Sequence, residues 1–248
     1  MNRYDGVKVL ITGAGSGIGR ATAIRLVSEG AAVFAVDRTE DGLAETVRSA
    51  SGPGRIVPHV ADVTDEPAVV EAVRAAAAEL GGIDVLVNVA GIHKTTPIDT
   101  LSVEDLHRLF SVNLVGTALF CREALRHLPD RTGVIVNIAS SAATQGTPYM
   151  TAYSASKGAV LAFSLSLAAE VVGRGIRVVP ISPGTVATPL TSGNVIPDGL
   201  DARYFGRIRS LLGSAAPEQI AGVIAFAASP DGGYITGAEI RADGGSGT

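Results

Sequence analysis

A glycine-rich loop near the N-terminus does most to limit the fold of this chain. It follows the β-branched run Lys8–Thr12 (KVLIT), which predicts a strand, and precedes residues 20–30, which have helical periodicity and a terminal glycine. Its glycines, Gly13, Gly17 and Gly19, follow the pattern G-x-x-x-G-x-G rather than G-x-G-x-x-G. Glycines at a strand–helix junction let the backbone turn tightly and approach a pyrophosphate, whose charge the helix N-terminus favours. The chain therefore begins with a strand–loop–helix unit that can hold a phosphate group.

The rest of the chain continues the alternation of strand and helix. Further strands are predicted at 31–37, 55–63, 83–91, 133–139, 176–182 and 235–245, and further helices at 40–50, 64–80, 102–127, 153–173 and 217–228. No linker or change of composition divides them, so residues 1–248 are expected to form one α/β domain. We expect a doubly wound domain of the Rossmann type with a mostly parallel sheet of about seven strands. The irregular segment 191–212 is expected to be a substrate lid. Pro180 falls inside a predicted strand, where proline is unusual.

Composition excludes several classes of protein. The 248 residues are 46% hydrophobic and 18% charged, which allows a large core and argues against disorder. The net charge of −4 provides no basic surface for nucleic acid. The single Cys121 excludes an intrachain disulfide, and the four histidines are scattered, so no metal site is predicted. Neither a signal peptide nor a transmembrane span is predicted, and a cytoplasmic location is expected.

The acidic end of the second predicted strand bears on the choice of nucleotide. Asp37 lies eighteen residues past Gly19, close to the spacing of a carboxylate that binds an adenosine ribose. It would accept hydrogen bonds from the ribose hydroxyls and repel a 2′-phosphate, which favours NAD over NADP. Arg38 opposes this prediction, because its guanidinium could pair with a 2′-phosphate. A plain helix N-cap is the other interpretation of Asp37, but Thr39 is better placed for that role.

A second group of polar residues points to proton transfer. Tyr153 and Lys157 are four apart, so on a helix they share a face, and Ser140 follows an apolar run at 134–139 that predicts a buried strand. Ligands of open α/β sheets bind beyond the carboxyl ends of the strands, so the three groups are expected to converge. A free tyrosine has a pKa of about 10, and a neighbouring cation lowers it. Tyr153 could then act as a base while Ser140 donates to the reacting oxygen. The alternative is an ordinary amphipathic helix with a surface lysine.

Asn113 lies inside the long predicted helix at 102–127, where an amide is not the obvious residue. It is either a surface residue or the sign of a local helix distortion that positions a water next to Lys157. The start of the helix, Ser102 with Asp105, resembles a capping box.

In this order and spacing the motifs resemble the short-chain dehydrogenase/reductase family, in its compact single-domain branch. The segment 12–19 (TGAGSGIG) is similar to the family's cofactor loop, and 88–91 (NVAG) to its N-N-A-G turn. Pro183-Gly184 with Thr188 resembles its segment over the nicotinamide. The resemblance covers nearly the whole chain. Two departures, Val89 within N-N-A-G and Val179-Pro180 in place of Val-Asn, concern scaffold hydrogen bonds and leave the catalytic residues intact.

The resemblance implies four catalytic residues. Tyr153 exchanges a proton with the substrate oxygen, which Ser140 orients. Lys157 lowers the pKa of Tyr153 and holds the nicotinamide ribose, and Asn113 anchors a water of the proton relay. The positions expected to contact the dinucleotide are Gly13, Ser16, Gly17, Ile18, Gly19, Asp37, Asp62, Val63, Asn88, Ala90, Gly91, Tyr153, Lys157, Ile181, Pro183, Gly184, Val186 and Thr188. The candidates for the substrate pocket are His93, Ser141, Ala142, Gln145, Tyr149, Met150, Val186, Leu190 and Tyr204.

The implied activity is that of an NAD-dependent oxidoreductase that moves a hydride between the nicotinamide and a secondary alcohol or ketone. A 3-oxoacyl-thioester reductase is an alternative within the same chemistry, and it usually prefers NADPH. Enoyl reductases of similar fold place the lysine seven residues after the tyrosine, but the residue at that distance before Lys157 is Met150. A non-catalytic NAD-binding sensor is the alternative from another class, although such proteins commonly lose the Tyr or the Lys. The resemblance also implies a homo-oligomer, a tetramer or a dimer, with the helices around 113–127 and 151–173 at its interface.

Overall fold

The sheet of this protein brings the carboxyl ends of parallel strands to one edge. A computed structural model describes residues 3–192, 201, 203 and 210–246. The strands are β1 (Lys8–Thr12), β2 (Ala32–Asp37), β3 (Arg55–Val60), β4 (Val85–Asn88), β5 (Val134–Ile138), β6 (Arg177–Pro183) and β7 (Ile240–Ala242). They form a seven-stranded sheet in the order β3-β2-β1-β4-β5-β6-β7, and every pair is parallel. The strand order reverses between β1 and β4, which is where such a sheet opens its ligand crevice. The predicted doubly wound α/β fold is confirmed.

Helices cover both faces of the sheet. They are α1 (Gly17–Ser28), α2 (Glu40–Ser49), α3 (Glu66–Leu80), α4 (Val103–Phe110), α5 (Gly116–Ala124), α6 (Thr151–Val171), α7 (Pro189–Ser192) and α8 (Pro217–Ala228). In β1, Val9 and Ile11 belong to the core that includes α1 and α8, whereas Leu10 belongs to the core that includes α3, α5 and α6. This alternation is the period of two of a strand that is buried on both faces.

Several elements are shorter than the sequence predicts. β3 ends at Val60 and α3 begins at Glu66, because the carboxylate of Asp62 holds a turn between them. Its Oδ1 accepts hydrogen bonds from the backbone N–H (2.8 Å) and the hydroxyl (2.7 Å) of Thr64. β4 and β7 likewise lose residues at both ends. The residues that follow β3 instead form a turn, and those that follow β4 form an irregular loop, both at the carboxyl edge of the sheet.

The long helix predicted over 102–127 is interrupted at Asn113. A π-helical segment, Ser111–Val115, separates α4 from α5. Asn113 is fully buried, and its Oδ1 accepts from the N–H of Ile92 (2.8 Å). Its amide donates to the carbonyl oxygen of Ile92 (3.0 Å) and to Oγ of Ser156 (2.9 Å). The helix is therefore distorted at this position, as such segments often are near functional sites, and Asn113 is not a surface residue.

Pro180 is an internal residue of β6, in register with Asn137 of β5. The N–H of Val178 donates to Oγ1 of Thr236 (3.0 Å), on the side of the strand that faces β7. Residues two apart in a strand direct their backbone groups to the same side, so the missing N–H of Pro180 also faces β7. β7 pairs only with residues 181–183. The proline therefore removes no hydrogen bond from the β6–β7 ladder.

Helix α6 and the turn after it, Thr151–Arg174, are long and apolar enough to cross a membrane when judged by length and composition alone. In the fold one side of this segment packs in the core, since Tyr153, Lys157 and Val160 are among its buried residues. A core helix meets the same criterion of length and hydropathy. We therefore infer no membrane span from it.

Candidate active site

A cavity of about 360 Å³ opens at the carboxyl edge of the sheet. Its walls come from the loop between β1 and α1, from the ends of β2, β4, β5 and β6, and from the first turns of α6. The strand order reverses between β1 and β4, so the connections that follow these two strands diverge at this point. The space between them leaves room for a ligand.

The glycine loop lies so close to its neighbours that side chains do not fit. A Cβ on Gly19 would lie 2.0 Å from the carbonyl oxygen of Gly13, and one on Gly13 would lie 2.7 Å from the nitrogen of Ala90. Gly13 also has a φ of +70°, in the left-handed region. Ser16, the N-cap of α1, makes no capping hydrogen bond with its side chain, and the first turn carries no acidic residue. The positive end of the α1 dipole therefore meets the cavity with N–H groups that suit an anionic phosphate.

Asp37 lines the cavity at the end of β2, together with Arg38 and Thr39. Its Oδ2 accepts from the N–H of Gly15 (2.9 Å), and its Oδ1 accepts from the N–H (2.9 Å) and the hydroxyl (2.7 Å) of Thr39. These hydrogen bonds fix the carboxylate as an acceptor at the edge of the cavity. Thr39, and not Asp37, occupies the N-cap position of α2. Arg38 lines the cavity beside Asp37. The residue that could favour NADP therefore stands next to the residue that favours NAD.

Ser140, Tyr153 and Lys157 all line the part of the cavity formed by β5 and α6. Oγ of Ser140 accepts from the N–H of Ala142 (3.2 Å), and Ser140 lies near enough to the phenol of Tyr153 to lower its pKa. Lys157, 5% exposed, donates through Nζ to the carbonyl oxygen of Ile138 (2.7 Å). The hydroxyl, the phenol and the amine therefore converge, and Lys157 is not a surface residue.

Burial changes the proton affinity of both titratable groups. It raises the pKa of Tyr153 above the ordinary value, and the hydrogen bond from Ser140 offsets only part of that rise. Burial also lowers the pKa of Lys157, to about 8. Burial and Ser140 account for the shift of the Tyr153 pKa, and the amine of Lys157 is directed at the carbonyl of Ile138, so the predicted lowering of the Tyr153 pKa by Lys157 stays a prediction.

Asn113 and Lys157 both lie beside the same glycine. A Cβ on Gly91 would lie 3.2 Å from Oδ1 of Asn113 and 3.3 Å from Nζ of Lys157. Ser156, which accepts from Asn113, donates to the carbonyl oxygen of Tyr153 (2.7 Å). The amide of Asn113 thus connects the loop after β4 with the helix that carries Tyr153 and Lys157.

Among the residues predicted to contact a dinucleotide, Asn88 and Ile181 do not line the cavity, and the others do. The amide of Asn88 instead donates to Oδ1 of Asn137 (2.9 Å) and reaches Sγ of Cys121 (3.3 Å), because that side chain points from β4 into the core. The cavity has further lining residues that the sequence argument did not assign: Arg38, Thr39, Ala61, Val89, Ile92, Val112, Ile138, Ala139 and Thr191. Most of them end or directly follow a strand, and that position is the signal that could have identified them.

Part of the predicted substrate pocket lies in the cavity or against Tyr153. Val186 and Leu190 line the cavity. His93 packs on Tyr153 with ring centroids 4.7 Å apart and planes at 73°, an edge-to-face arrangement. Nε2 of His93 lies 3.3 Å from Sδ of Met150. The imidazole therefore lies against the phenol of Tyr153, with the thioether next to it.

Three other candidates shape the backbone near Tyr153. Ser141 begins the short 3₁₀ turn after Ser140, and Ala142 packs in a small core with Tyr153. Tyr149 has a φ of +61°, which is strained for a residue with a side chain, and its carbonyl oxygen accepts from the N–H of Thr96 (2.7 Å).

Gln145 does not line the cavity, and neither do His93, Ser141, Ala142, Tyr149 and Met150, so their assignment to the substrate pocket stays a prediction. The amide of Gln145 donates instead to the carbonyl oxygen of Ser246, near the C-terminus. Tyr204 and most of the predicted lid at 191–212 lie outside the described residues.

A doubly wound sheet with this glycine loop, and with a serine, a tyrosine and a lysine gathered at its carboxyl edge, defines a class of dinucleotide-binding oxidoreductases. The family model for short chain dehydrogenases matches residues 7–196. The chain belongs to the short-chain dehydrogenase/reductase family, whose members bind NAD or NADP.

Relatives in this family cover the full length of the chain. It is 39% identical to 3-oxoacyl-[acyl-carrier-protein] reductase FabG of Thermotoga maritima, over 98% of each chain. It is 40% identical to D-threitol dehydrogenase of Mycolicibacterium smegmatis, over 98% of this chain and 94% of the other. A solved short chain dehydrogenase from Mycobacterium paratuberculosis bound to NAD superposes with a TM-score of 0.92, at 31% identity and 99% coverage of each chain.

The residues present fit the dinucleotide that the family implies. The glycines of the loop have no space for side chains, and no side chain caps the N-terminus of α1. The fixed carboxylate of Asp37 stands at the end of β2. Each of these features matches one part of the ligand: the first two suit a pyrophosphate, and the last suits a ribose with free hydroxyls.

Proposed function

We propose that this protein is an NAD-dependent oxidoreductase that interconverts a secondary alcohol and a ketone, with Tyr153 as the general acid and base. The observation that carries the proposal is the convergence of Ser140, Tyr153 and Lys157 in a cavity that also contains the glycine loop and Asp37. The bound nicotinamide would supply the hydride acceptor for oxidation and, when reduced, the hydride donor for reduction.

The residues that would hold the cofactor divide along the cavity. The backbone of 13–19 would bind the pyrophosphate, and Asp37 would accept hydrogen bonds from the adenosine ribose hydroxyls. Lys157 would hold the nicotinamide ribose, and Thr188 would contact the carboxamide side. A carboxylate fixed by Gly15 and Thr39 cannot turn away from a 2′-phosphate, so its charge supports NAD over NADP.

The chain's own groups would move the proton. In the reductive direction Tyr153 donates its proton to the substrate carbonyl oxygen while Ser140 hydrogen-bonds to the same oxygen. In the oxidative direction the phenolate accepts the alcohol proton, which becomes easier as the pH rises because burial raises the pKa of Tyr153. The position of Asn113 beside Lys157 at Gly91 supports its role in anchoring a water that returns the proton.

The experiment follows formation of NADH by absorbance, with a panel of secondary alcohols, vicinal diols, sterols and hydroxyacyl thioesters. Turnover that disappears in Tyr153→Phe is the expected result. Silence across the panel with NAD still bound in calorimetry would leave two interpretations: a substrate outside the panel, or the alternative from another class, a non-catalytic NAD-binding sensor.

A second candidate is an NADPH-dependent reductase of 3-oxoacyl thioesters. The 39% identity to the Thermotoga maritima reductase and the presence of Arg38 in the cavity favour it. Values of kcat/KM with NADH and NADPH separate the two. A clear preference for NADPH and for an acyl thioester would replace the first proposal with the second.

We also propose a cytoplasmic homo-oligomer, a tetramer or a dimer. The exposed side of α6 carries Ala155, Ala162, Leu165 and Ala169, a largely apolar surface with Glu170 at its C-terminal end, which a second copy could cover. Light scattering after size exclusion tests the oligomer, and Leu165→Glu is expected to shift it towards the monomer.

A further inference from the structure

The last residues of the described chain form a compact turn, Asp243–Ser246, which we call the C-terminal turn. Oδ1 of Asp243 accepts from the N–H of Gly245 (3.1 Å), and its carbonyl oxygen accepts from Oγ (2.9 Å) and the N–H (3.3 Å) of Ser246. Ser246 is 1% exposed. The turn is therefore a fixed part of the fold, held by its own hydrogen bonds and by burial of its end.

The C-terminal turn packs directly behind one wall of the cavity. The N–H of Gly184 donates to the carbonyl oxygen of Ala242 (3.2 Å), immediately before the turn. A Cβ on Gly184 would lie 2.8 Å from Cα of Asp243. Since Pro183 and Gly184 line the cavity, the turn fixes the position of that wall.

The C-terminal turn also contacts the segment that carries the catalytic serine. The N–H of Ala143 donates to the carbonyl oxygen of Ser140 (2.9 Å), and the N–H of Gln145 donates to that of Ser141 (3.1 Å). Residues 140–145 thus form one hydrogen-bonded turn, the serine turn, with Ser140 at one end and Gln145 at the other. The amide of Gln145 donates to the carbonyl oxygen of Ser246 and lies 3.5 Å from Oδ2 of Asp243.

The chemistry of this contact requires a donor at position 145. The carbonyl oxygen of Ser246 and the carboxylate of Asp243 are both acceptors. Arg241 supplies the other donors, since its Nη2 donates to Oδ2 of Asp243 (2.5 Å) and to the carbonyl oxygen of Ser246 (3.2 Å). A carboxylate at position 145 would have the same length as the amide but would meet two acceptors.

We propose that Gln145 is a positioning residue for catalysis. By donating to the C-terminal turn it holds the serine turn in register with the Pro183–Gly184 wall, and so sets the direction from which the Ser140 hydroxyl meets the substrate oxygen. This inference rests on the proposed function for its kinetic consequence, whereas the restraint on the serine turn exists independently of it.

The chain's two glutamines provide a matched pair of variants. Gln219 uses its Oε1 to accept from the N–H of Ala216 (2.8 Å), at the start of α8. Gln→Glu keeps an acceptor but removes a donor, so Gln219→Glu preserves its hydrogen bond and Gln145→Glu loses its own. Gln145→Met, which removes the donor without adding charge, is the second variant in case the glutamate prevents folding.

The first measurement is amide hydrogen exchange of the peptide that covers residues 140–147, on protein without substrate. In Gln145→Glu the exchange of this peptide should become about tenfold faster, because the opening of a local structure costs less when its restraint is removed. In Gln219→Glu it should be unchanged. Unchanged exchange in both Gln145→Glu and Gln145→Met would overturn the proposal, whatever the enzyme's substrate.

The second measurement is a double-mutant cycle in kcat with Ser140→Ala. Gln145→Glu should lower kcat about tenfold when Ser140 is present, because displacement of a catalytic group by a fraction of an ångström is enough for such a loss. In the Ser140→Ala background, read in single turnovers with excess enzyme, the same change should cost less than about twofold. Equal losses in both backgrounds would overturn the proposal. If the proposed function itself were wrong, the result would be different: the wild-type protein would show no turnover.

Discussion

Lys157 is expected to reduce the stability of this protein at neutral pH. Its amine is 5% exposed, and burial lowers its pKa from 10.5 to about 8. Below pH 8 the folded protein must keep a buried charge that the unfolded chain leaves in water. One pKa unit corresponds to about 1.4 kcal/mol, so the cost at pH 7 is about 3 kcal/mol. As the pH rises from 8 towards 10.5 the folded state releases this proton before the unfolded state does, and the cost disappears.

The substitution Lys157→Met removes the titration and keeps a side chain of similar length. At a single pH the difference in the free energy of unfolding between wild type and this variant contains both the desolvation cost and the lost hydrogen bond to Ile138. That hydrogen bond can also be donated by the neutral amine, so it cancels between two pH values. We expect the free energy of unfolding of Lys157→Met, relative to that of wild type, to fall by about 2 kcal/mol between pH 7 and pH 9.5. Turnover should be lost in the same variant.

The assay is urea unfolding of both proteins at pH 7 and pH 9.5, at one protein concentration and without added dinucleotide. Lys8→Met is the control, because its Nζ donates to the carbonyl oxygen of Gly81 at the surface. The effect of that control should be the same at the two pH values. If the difference between wild type and Lys157→Met were also independent of pH, the buried amine would carry no desolvation cost and the argument would fail.

Four further outcomes are expected. Tyr153→Phe should lower kcat about 1,000-fold while the Kd for NADH, measured by fluorescence, stays within about twofold; a matching loss of binding would instead indicate a damaged site. Asp37→Ser should raise kcat/KM for NADP relative to NAD by about tenfold or more, because a carboxylate no longer faces the 2′-phosphate; an unchanged ratio would remove Asp37 from nucleotide selection. Gly19→Ala should abolish binding of NADH in calorimetry, since its Cβ would lie 2.0 Å from a backbone oxygen, whereas Gly146→Ala, with nothing within 4 Å, should bind normally. In the oxidative direction kcat/KM should increase with pH. Ser140→Ala should move that increase to higher pH, because the hydrogen bond from Ser140 lowers the pKa of Tyr153. An unchanged pH profile in this variant would show that Ser140 does not affect the titration of Tyr153.

Much of the architecture was predictable, because it depends on patterns that recur along the chain. The strand Lys8–Thr12 and the helix Pro217–Ala228 have the predicted bounds. The ends of other elements were wrong where a side chain takes over the backbone's hydrogen bonds, as Asp62 does at Thr64. Such a competition depends on the local conformation, which periodicity does not report.

The candidate site was predictable as a set of positions but only in part as an environment. Residues at strand ends line the cavity because the parallel sheet brings those ends together. Asn88 and Gln145 do not line it, because each side chain points elsewhere, one into the core and the other to the C-terminal turn. The effect of burial on the pKa values of Tyr153 and Lys157 was not visible in their spacing, since desolvation depends on the packed fold.

The sequence by itself determined the alternation of strands and helices, the glycine loop, and the order in which the polar residues follow the strands. These properties are local, and each is visible within a few residues. Only the tertiary structure decided how deeply Lys157 is buried, that Asn113 joins three segments, and that Gln145 is bound by the far end of the chain. Desolvation and contacts between distant segments depend on what folding places around a group, and the neighbours along the chain do not reveal it.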